Sequence, residues 1–167
     1  MKVMAPHRVT RSFVQKIQAP PEQVFPLLCP VRETEWVEGW DPIVVYSHSG
    51  LAEPDCIFLT GNGEPESAWI ITDRDTEQFH LEIIKISPWT TVAKIEITLG
   101  RNEESGTDAT IIYTYTALSE AGENFVNHYT EAYYLEFMRY WETAINDYIS
   151  SGRHRQGQKS GPSAVFS

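Results

Sequence analysis

From residue 8 to residue 118, apolar and polar positions alternate in short runs, and from residue 120 the period lengthens to that of a helix. The plainest run is 92–99, where Ala93, Ile95, Ile97 and Leu99 alternate with Lys94, Glu96 and Thr98, as in a strand with one buried face. Runs of the same kind cover residues 8–18, 43–48, 56–60, 66–72, 78–86 and 107–118. Turn-forming residues separate them, as in Gly61-Asn62-Gly63-Glu64-Pro65 and Asp73-Arg74-Asp75. Short strands at this spacing predict an antiparallel meander.

Two short helices are expected between the first and second strands. Ala19-Pro20-Pro21-Glu22 ends the first strand and opens a helix, because proline fits a first helical turn and an acid there meets the positive end. Val24, Phe25 and Leu28 give it one apolar face, and Pro26 limits its length. A second turn of helix over residues 31–36 closes at Gly39.

The segment 120–151 is larger. Stepped at about 100° per residue, Thr130, Tyr134, Phe137, Met138, Trp141, Ala144, Ile145 and Tyr148 share one face. Glu136, Arg139, Glu142, Thr143, Asn146 and Asp147 lie opposite. The reading is one continuous helix of about eight to nine turns, lying on the apolar face of the sheet.

Composition narrows the class. A chain of 167 residues with 41% hydrophobic and 12% aromatic content suits one domain with a single core. Residues 1–151 read as that domain, and 152–167, rich in Gly, Ser and Gln, as a flexible tail. The tail carries Arg153, Arg155 and Lys159, which leaves 10 of the 13 basic residues against 23 acidic ones in the domain, a formal −13. Such a domain repels phosphate backbones and anionic membrane surfaces, so nucleic acid is not an expected partner. Membrane insertion is not expected either, since no run of about 18 apolar residues occurs. The first eight residues lack the apolar middle of a secretory signal, which makes the cytoplasm the expected compartment. Cys29 and Cys56 have no metal-binding spacing and read as small hydrophobes.

The element order, with Ala19-Pro20-Pro21-Glu22-Gln23-Val24-Phe25 at the exit from the first strand, resembles the START/polyketide-cyclase (SRPBCC) superfamily, which includes the birch-pollen allergen. Trp36-Val37-Glu38-Gly39-Trp40 and Thr114-Tyr115-Thr116-Ala117-Leu118-Ser119-Glu120 are similar to a bacterial branch of it. The resemblance implies an α+β helix-grip fold: a seven-stranded antiparallel sheet wrapped around a long C-terminal helix, with two short helices between strands one and two. It also implies an apolar cavity between sheet and helix. Members bind lipids, sterols, polyketides or hormones there, and a minority are cyclases, aromatases or hydrolases. A fold of this kind leaves the chemistry open.

Carried over residue by residue, Thr130, Tyr134, Phe137 and Met138 would line the cavity with Asn127 as a polar neighbour, while Trp141, Ala144, Ile145 and Tyr148 would be core. Trp36 and Trp40 flank a glycine in a loop expected at the cavity mouth, either stacking on a flat ligand or plugging the end of the sheet. Phe58 and Trp69 sit mid-strand and point inward, and Tyr113 and Tyr115 share a face from which a phenol can donate to a ligand carbonyl. The bland alternative for the whole set is a dry core. Trp89 is expected on a hairpin rim.

No nucleophile elbow, phosphate loop or zincin motif occurs, and the five histidines show no metal-ligand spacing, so neither a metal nor another cofactor is expected. Glu33 and Glu35 are the carboxylates nearest the expected mouth, with a solvated helix end as the favoured reading for both. Three functions follow. The first is a binder of a small apolar or aromatic molecule. The second is a cyclase- or aromatase-type enzyme, which needs at least two ionisable groups aimed into the cavity. The third is a protein-partner module with a filled interior and an exposed apolar patch. A homodimer is an allowed state.

Overall fold

Seven of the alternating runs become strands: β1 (Arg8–Ile17), β2 (Ile43–Tyr46), β3 (Ile57–Thr60), β4 (Ser67–Asp75), β5 (His80–Ser87), β6 (Thr91–Arg101) and β7 (Thr107–Ala117). They form one antiparallel sheet in the order β1-β7-β6-β5-β4-β3-β2. The computed structural model describes residues 7–61 and 66–152; the turn expected at 62–65, the N-terminal residues 1–6 and the tail from 153 lie outside them. Buried and half-buried positions alternate along β6 and β7, so one face of the sheet points into the core. Extra residues at Thr72 in β4 and Val45 in β2 shift the register, and such bulges bend a sheet toward the side it must enclose.

Between β1 and β2 the chain makes α1 (Pro21–Val24), a 3₁₀ turn at Phe25–Leu28 and α2 (Pro30–Glu33). Pro26 lies in the 3₁₀ turn, where its missing N–H interrupts the α-helical ladder.

The C-terminal segment departs from the single helix expected of it. Two helices form, α3 (Glu120–His128) and α4 (Glu131–Ser151). The break has a local cause. Thr130 is extended (φ −69°, ψ 163°) and its hydroxyl accepts the Tyr133 N–H, an N-cap that starts a new helix, with Glu131 in the favoured acidic first turn. A continuous helix would carry Tyr129 about 120° away from the Trp141 direction. The break turns Tyr129 inward, where it is 1% exposed.

α4 lies along the free edge of β1 and satisfies its backbone. The Lys16 N–H donates to Glu142 Oε2 at 2.7 Å, and the Gln18 N–H donates to Asn146 Oδ1 at 2.8 Å. Asn146 Nδ2 donates back to the Lys16 carbonyl at 3.0 Å, and Gln15 Nε2 reaches the Met138 carbonyl at 2.9 Å. Glu142 and Asn146, on the polar side of the helix in the sequence reading, therefore fasten helix to sheet and protect an otherwise exposed strand edge. Beneath them Trp141 packs edge-on against Trp36 and Phe137, at 5.1 and 5.5 Å between ring centroids. Ala144 and Ile145 are buried, whereas Tyr148 is half-buried and donates its hydroxyl to Glu35. The opposite edge strand, β2, is exposed along its whole length.

Two outcomes follow for chemical denaturation. Asn146→Ala removes the clasp on residues 16 and 18 and should cost about 1 kcal/mol, with faster amide exchange at Gln18. Trp141→Ala should cost about 3–5 kcal/mol by opening a cavity under α4.

Candidate functional site

Sheet register sets the inner surface. One cross-strand row runs Phe58–Trp69–Lys85–Ala93–Tyr115, each residue paired with the next across neighbouring strands. The next row is Thr60–Ser67–Ser87–Thr91, and it is polar. Ser67 and Ser87 share a hydroxyl–hydroxyl hydrogen bond of 2.9 Å, and Trp69 Nε1 donates to Thr60 Oγ1 at 2.8 Å. One end of the concave face is thus polar, the row beside it is largely aromatic, and the rows beyond are mainly aliphatic, with Ile71, Leu81, Ile83, Ile95 and Ile97 buried there.

The aromatic part is packed ring on ring. Phe58 and Trp69 stack at 5.4 Å and Trp40 meets both edge-on at 6.1 Å. Tyr113 sits 5.9 Å from Tyr134 and 6.2 Å from Phe137, and Tyr115 sits 4.7 Å from Tyr129 and 4.9 Å from Phe125. Most polar tips among them are tied down: Trp36 Nε1 to the Leu27 carbonyl, Trp40 Nε1 to the Pro30 carbonyl, and the Tyr134 hydroxyl to the Ile111 carbonyl. The buried Tyr129 hydroxyl has no hydrogen-bond partner among the described residues.

A pocket of about 200 Å³ opens at the polar end. Its inner wall is Lys85, Ser87, Thr91 and Tyr115; Glu66, Pro88 and Thr90 form the mouth, and Phe125 of α3 covers it. The cover fits because position 122 is a glycine: a Cβ there would stand 1.9 Å from the Thr90 carbonyl oxygen. Ser119 caps α3 through the Gly122 N–H and also bonds the Trp89 carbonyl, which fixes helix to hairpin. Trp89 itself, between Pro88 and Thr90, is 87% exposed at the lip.

A lysine and a glutamic acid are buried in this interior. Lys85 is 3% exposed, with its ammonium 5.0 Å from the Trp69 ring centroid. Burial pushes its pKa down to about 8, against the opposing pull of the Glu66 carboxylate. Glu33, expected to be solvated, is 7% exposed, and burial raises its carboxyl to about 8. Its position on α2 turns it under the helix pair and toward Tyr113, whose own pKa is raised by burial and further by Glu33. Burial likewise holds the Tyr115, Tyr129 and Tyr134 phenols well above their ordinary range, so they remain neutral donors. Glu35 is partly exposed and accepts Arg32 through both oxygens, at 2.9 and 3.0 Å.

Of the residues singled out from sequence, Trp36, Trp40, Phe58, Trp69, Tyr113, Tyr115, Tyr134, Phe137 and Met138 all meet in the interior. Tyr115 alone among them lines the 200 Å³ pocket. Asn127 and Thr130 do not join: both are exposed, Asn127 bonded to His7 Nε2 at 3.0 Å and Thr130 spent as a helix cap. Trp36 and Trp40 are buried and bonded to backbone, the geometry of plugs, while Trp89 is exposed on the β5–β6 hairpin, the rim position expected of it. Lys85 was missed, although its parity with Leu81 and Ile83 already set it on the inner face. Tyr129 and Phe125 carried no such signal, since their inward aim depends on the helix break. Among the described residues no cluster of three or more His, Cys, Asp or Glu side chains could hold a metal, and no helix is long and apolar enough to cross a membrane.

No family model matches the chain, and no curated protein sequence matches it. Solved structures do. The crystal structure of Ara h 8.0201 superposes with a TM-score of 0.60 at 13% identity, covering 86% of this chain and 99% of that one. A point mutant of norcoclaurine synthase from Thalictrum flavum, solved in complex with a transition-state analogue, gives 0.64 at 11% identity over 90% of this chain and 99% of that one. DynU16, from the dynemicin biosynthetic locus, gives 0.54 at 14% identity, covering 88% of this chain and 51% of that one. At such identities the likeness establishes the fold. The chain has the helix-grip fold that its sequence pattern and its resemblance implied.

Glu33 makes stability depend on pH. Below its unfolded pKa of 4.5 the carboxyl is neutral in both states. Between 4.5 and about 8 only the unfolded state ionises freely, so folding weakens as pH rises through that window and the loss persists above it. Glu33→Gln should therefore match the wild type near pH 4.5 and exceed it at pH 8 by a few kcal/mol at most, on the order of the burial cost of one carboxylate. Urea denaturation at the two pH values checks this, and equal gains at both would exclude the charge as the cause.

Proposed function

We propose that the protein binds a small apolar or aromatic molecule between the concave sheet and its C-terminal helices, in the pocket walled by Lys85, Tyr115 and Phe125. The observation that carries this reading is the pocket itself: about 200 Å³ left open beside an interior otherwise packed with aromatic and aliphatic side chains. Apolar walls supply affinity, and a few fixed polar groups supply orientation. The norcoclaurine synthase mutant, a helix-grip neighbour, holds a transition-state analogue, which supports ligand capture as a use of this fold.

A second reading, an acid–base enzyme of the cyclase kind, is favoured by one observation. Two buried ionisable groups, Glu33 and Lys85, belong to the interior, which is the minimum such chemistry needs. It requires both groups to address one ligand. Loss of turnover on Glu33→Gln with ligand affinity retained would distinguish catalysis from binding.

Binding is tested with the full chain by native mass spectrometry for a co-purifying molecule and by thermal shift against single-ring compounds. The expected result is a rise in Tm that Thr90→Phe, which crowds the pocket mouth, reduces or abolishes. A chain that carries nothing and responds to no ring compound would exclude the reading.

A further inference from the structure

Resting on that binding reading, we propose that the pocket takes an aromatic ketone, whose carbonyl oxygen accepts from the neighbouring phenols of Tyr115 and Tyr129. Four tyrosines pack as a closed ring beside the pocket. Centroids lie 6.1 Å apart from Tyr113 to Tyr115, 4.7 Å from Tyr115 to Tyr129, 6.0 Å from Tyr129 to Tyr134 and 5.9 Å from Tyr134 back to Tyr113. The Tyr134 hydroxyl donates to the Ile111 carbonyl at 2.7 Å. The hydroxyls of Tyr115 and Tyr129, both on buried residues, have no hydrogen-bond partner among the described residues.

A buried hydroxyl without a hydrogen bond loses its hydration and gains nothing in return. The indoles of Trp36, Trp40 and Trp69, by contrast, all have acceptors. The two phenols therefore ask for an acceptor that the chain does not supply. Tyr115 stands on the pocket wall, and the Tyr129 ring lies behind it, stacked at 5.7 Å on Phe125. Phe125 is half-buried on α3 and covers the pocket, so its ring is the one that turns aside to bring a ligand oxygen to the second hydroxyl.

The donors select the ligand. Burial holds both phenols above their ordinary pKa, so each keeps its proton and presents an O–H. One carbonyl oxygen has two lone pairs and can take both. A hydrocarbon fills the space and leaves both protons unanswered, and an N–H donor leaves them unanswered too. A carboxylate is opposed by Glu66 at the mouth and by a net charge of −10. Size agrees: an apolar cavity of roughly 150 Å³ accepts benzene, so about 200 Å³ suits one ring with a head group of a few atoms.

The test is calorimetry on the full chain with acetophenone, ethylbenzene and indole, which are similar in size and carry an acceptor, neither group and a donor. Acetophenone should bind about 10-fold more tightly than ethylbenzene or indole, the worth of two hydrogen bonds. Tyr129→Phe and Tyr115→Phe should each cut that ratio at least about threefold while leaving ethylbenzene affinity unchanged. Tyr129→Phe should also leave the Tm of the ligand-free chain unchanged or higher, because the hydroxyl it removes has no partner. A merely structural role would instead lower the Tm and weaken all three probes together. If ethylbenzene or indole binds as well as acetophenone, if either variant keeps the full ratio, or if Tyr129→Phe lowers the Tm, the ketone assignment is overturned and the binding pocket stands. If none of the three binds, both fall.

Discussion

The clasp between α4 and the free edge of β1 is the constraint from which the rest of the architecture follows. A curved sheet with one apolar face needs a cover, and an edge strand needs partners for its outward backbone groups. Glu142 and Asn146 meet the second need from the same helix whose Phe137, Trp141 and Ile145 meet the first. With α4 fixed along β1, its length cannot also cover the polar end of the sheet. That end falls to α3, which reaches it only because the chain bends at Thr130. The pocket lies where this second cover meets the β5–β6 hairpin.

The interior is a balance between filling and leaving open. Trp36 and Trp40 close the space under the helix pair with their indole N–H groups satisfied by backbone carbonyls. Polar groups kept in such surroundings are costly unless something answers them. The Ser67 and Ser87 hydroxyls answer one another and Thr60 answers the Trp69 indole, whereas Glu33 answers the cost by holding its proton, and the Lys85 ammonium lies against the Trp69 ring. Burial of a lysine and a glutamic acid weakens folding in opposite pH ranges: Glu33 as pH rises from 4.5 toward 8, and Lys85 as pH falls from 10.5 toward 8.

Much of this was legible in the chain. Strand parity set Phe58, Trp69, Tyr113 and Tyr115 on the inner face, and the same parity sets Lys85 there beside Leu81 and Ile83. The capping signal at Thr130, followed by Glu131, was also present. It was outweighed by an apolar stripe that runs smoothly through it, because a periodicity averaged over many residues is insensitive to one extended residue. Asn127 and Thr130 were misplaced as lining for that reason, and Tyr129 was overlooked for the same one.

By itself the sequence determined the number and order of the strands, their faces and the half of α4 that seals the core. These depend on short-range periodicity, which the hydrophobic effect reads directly. Tertiary structure alone decided that Glu33 is buried and that Lys85, Thr91, Tyr115 and Phe125 surround one space. Those outcomes depend on how far α3 leans and which strands lie side by side, distances that no local pattern encodes.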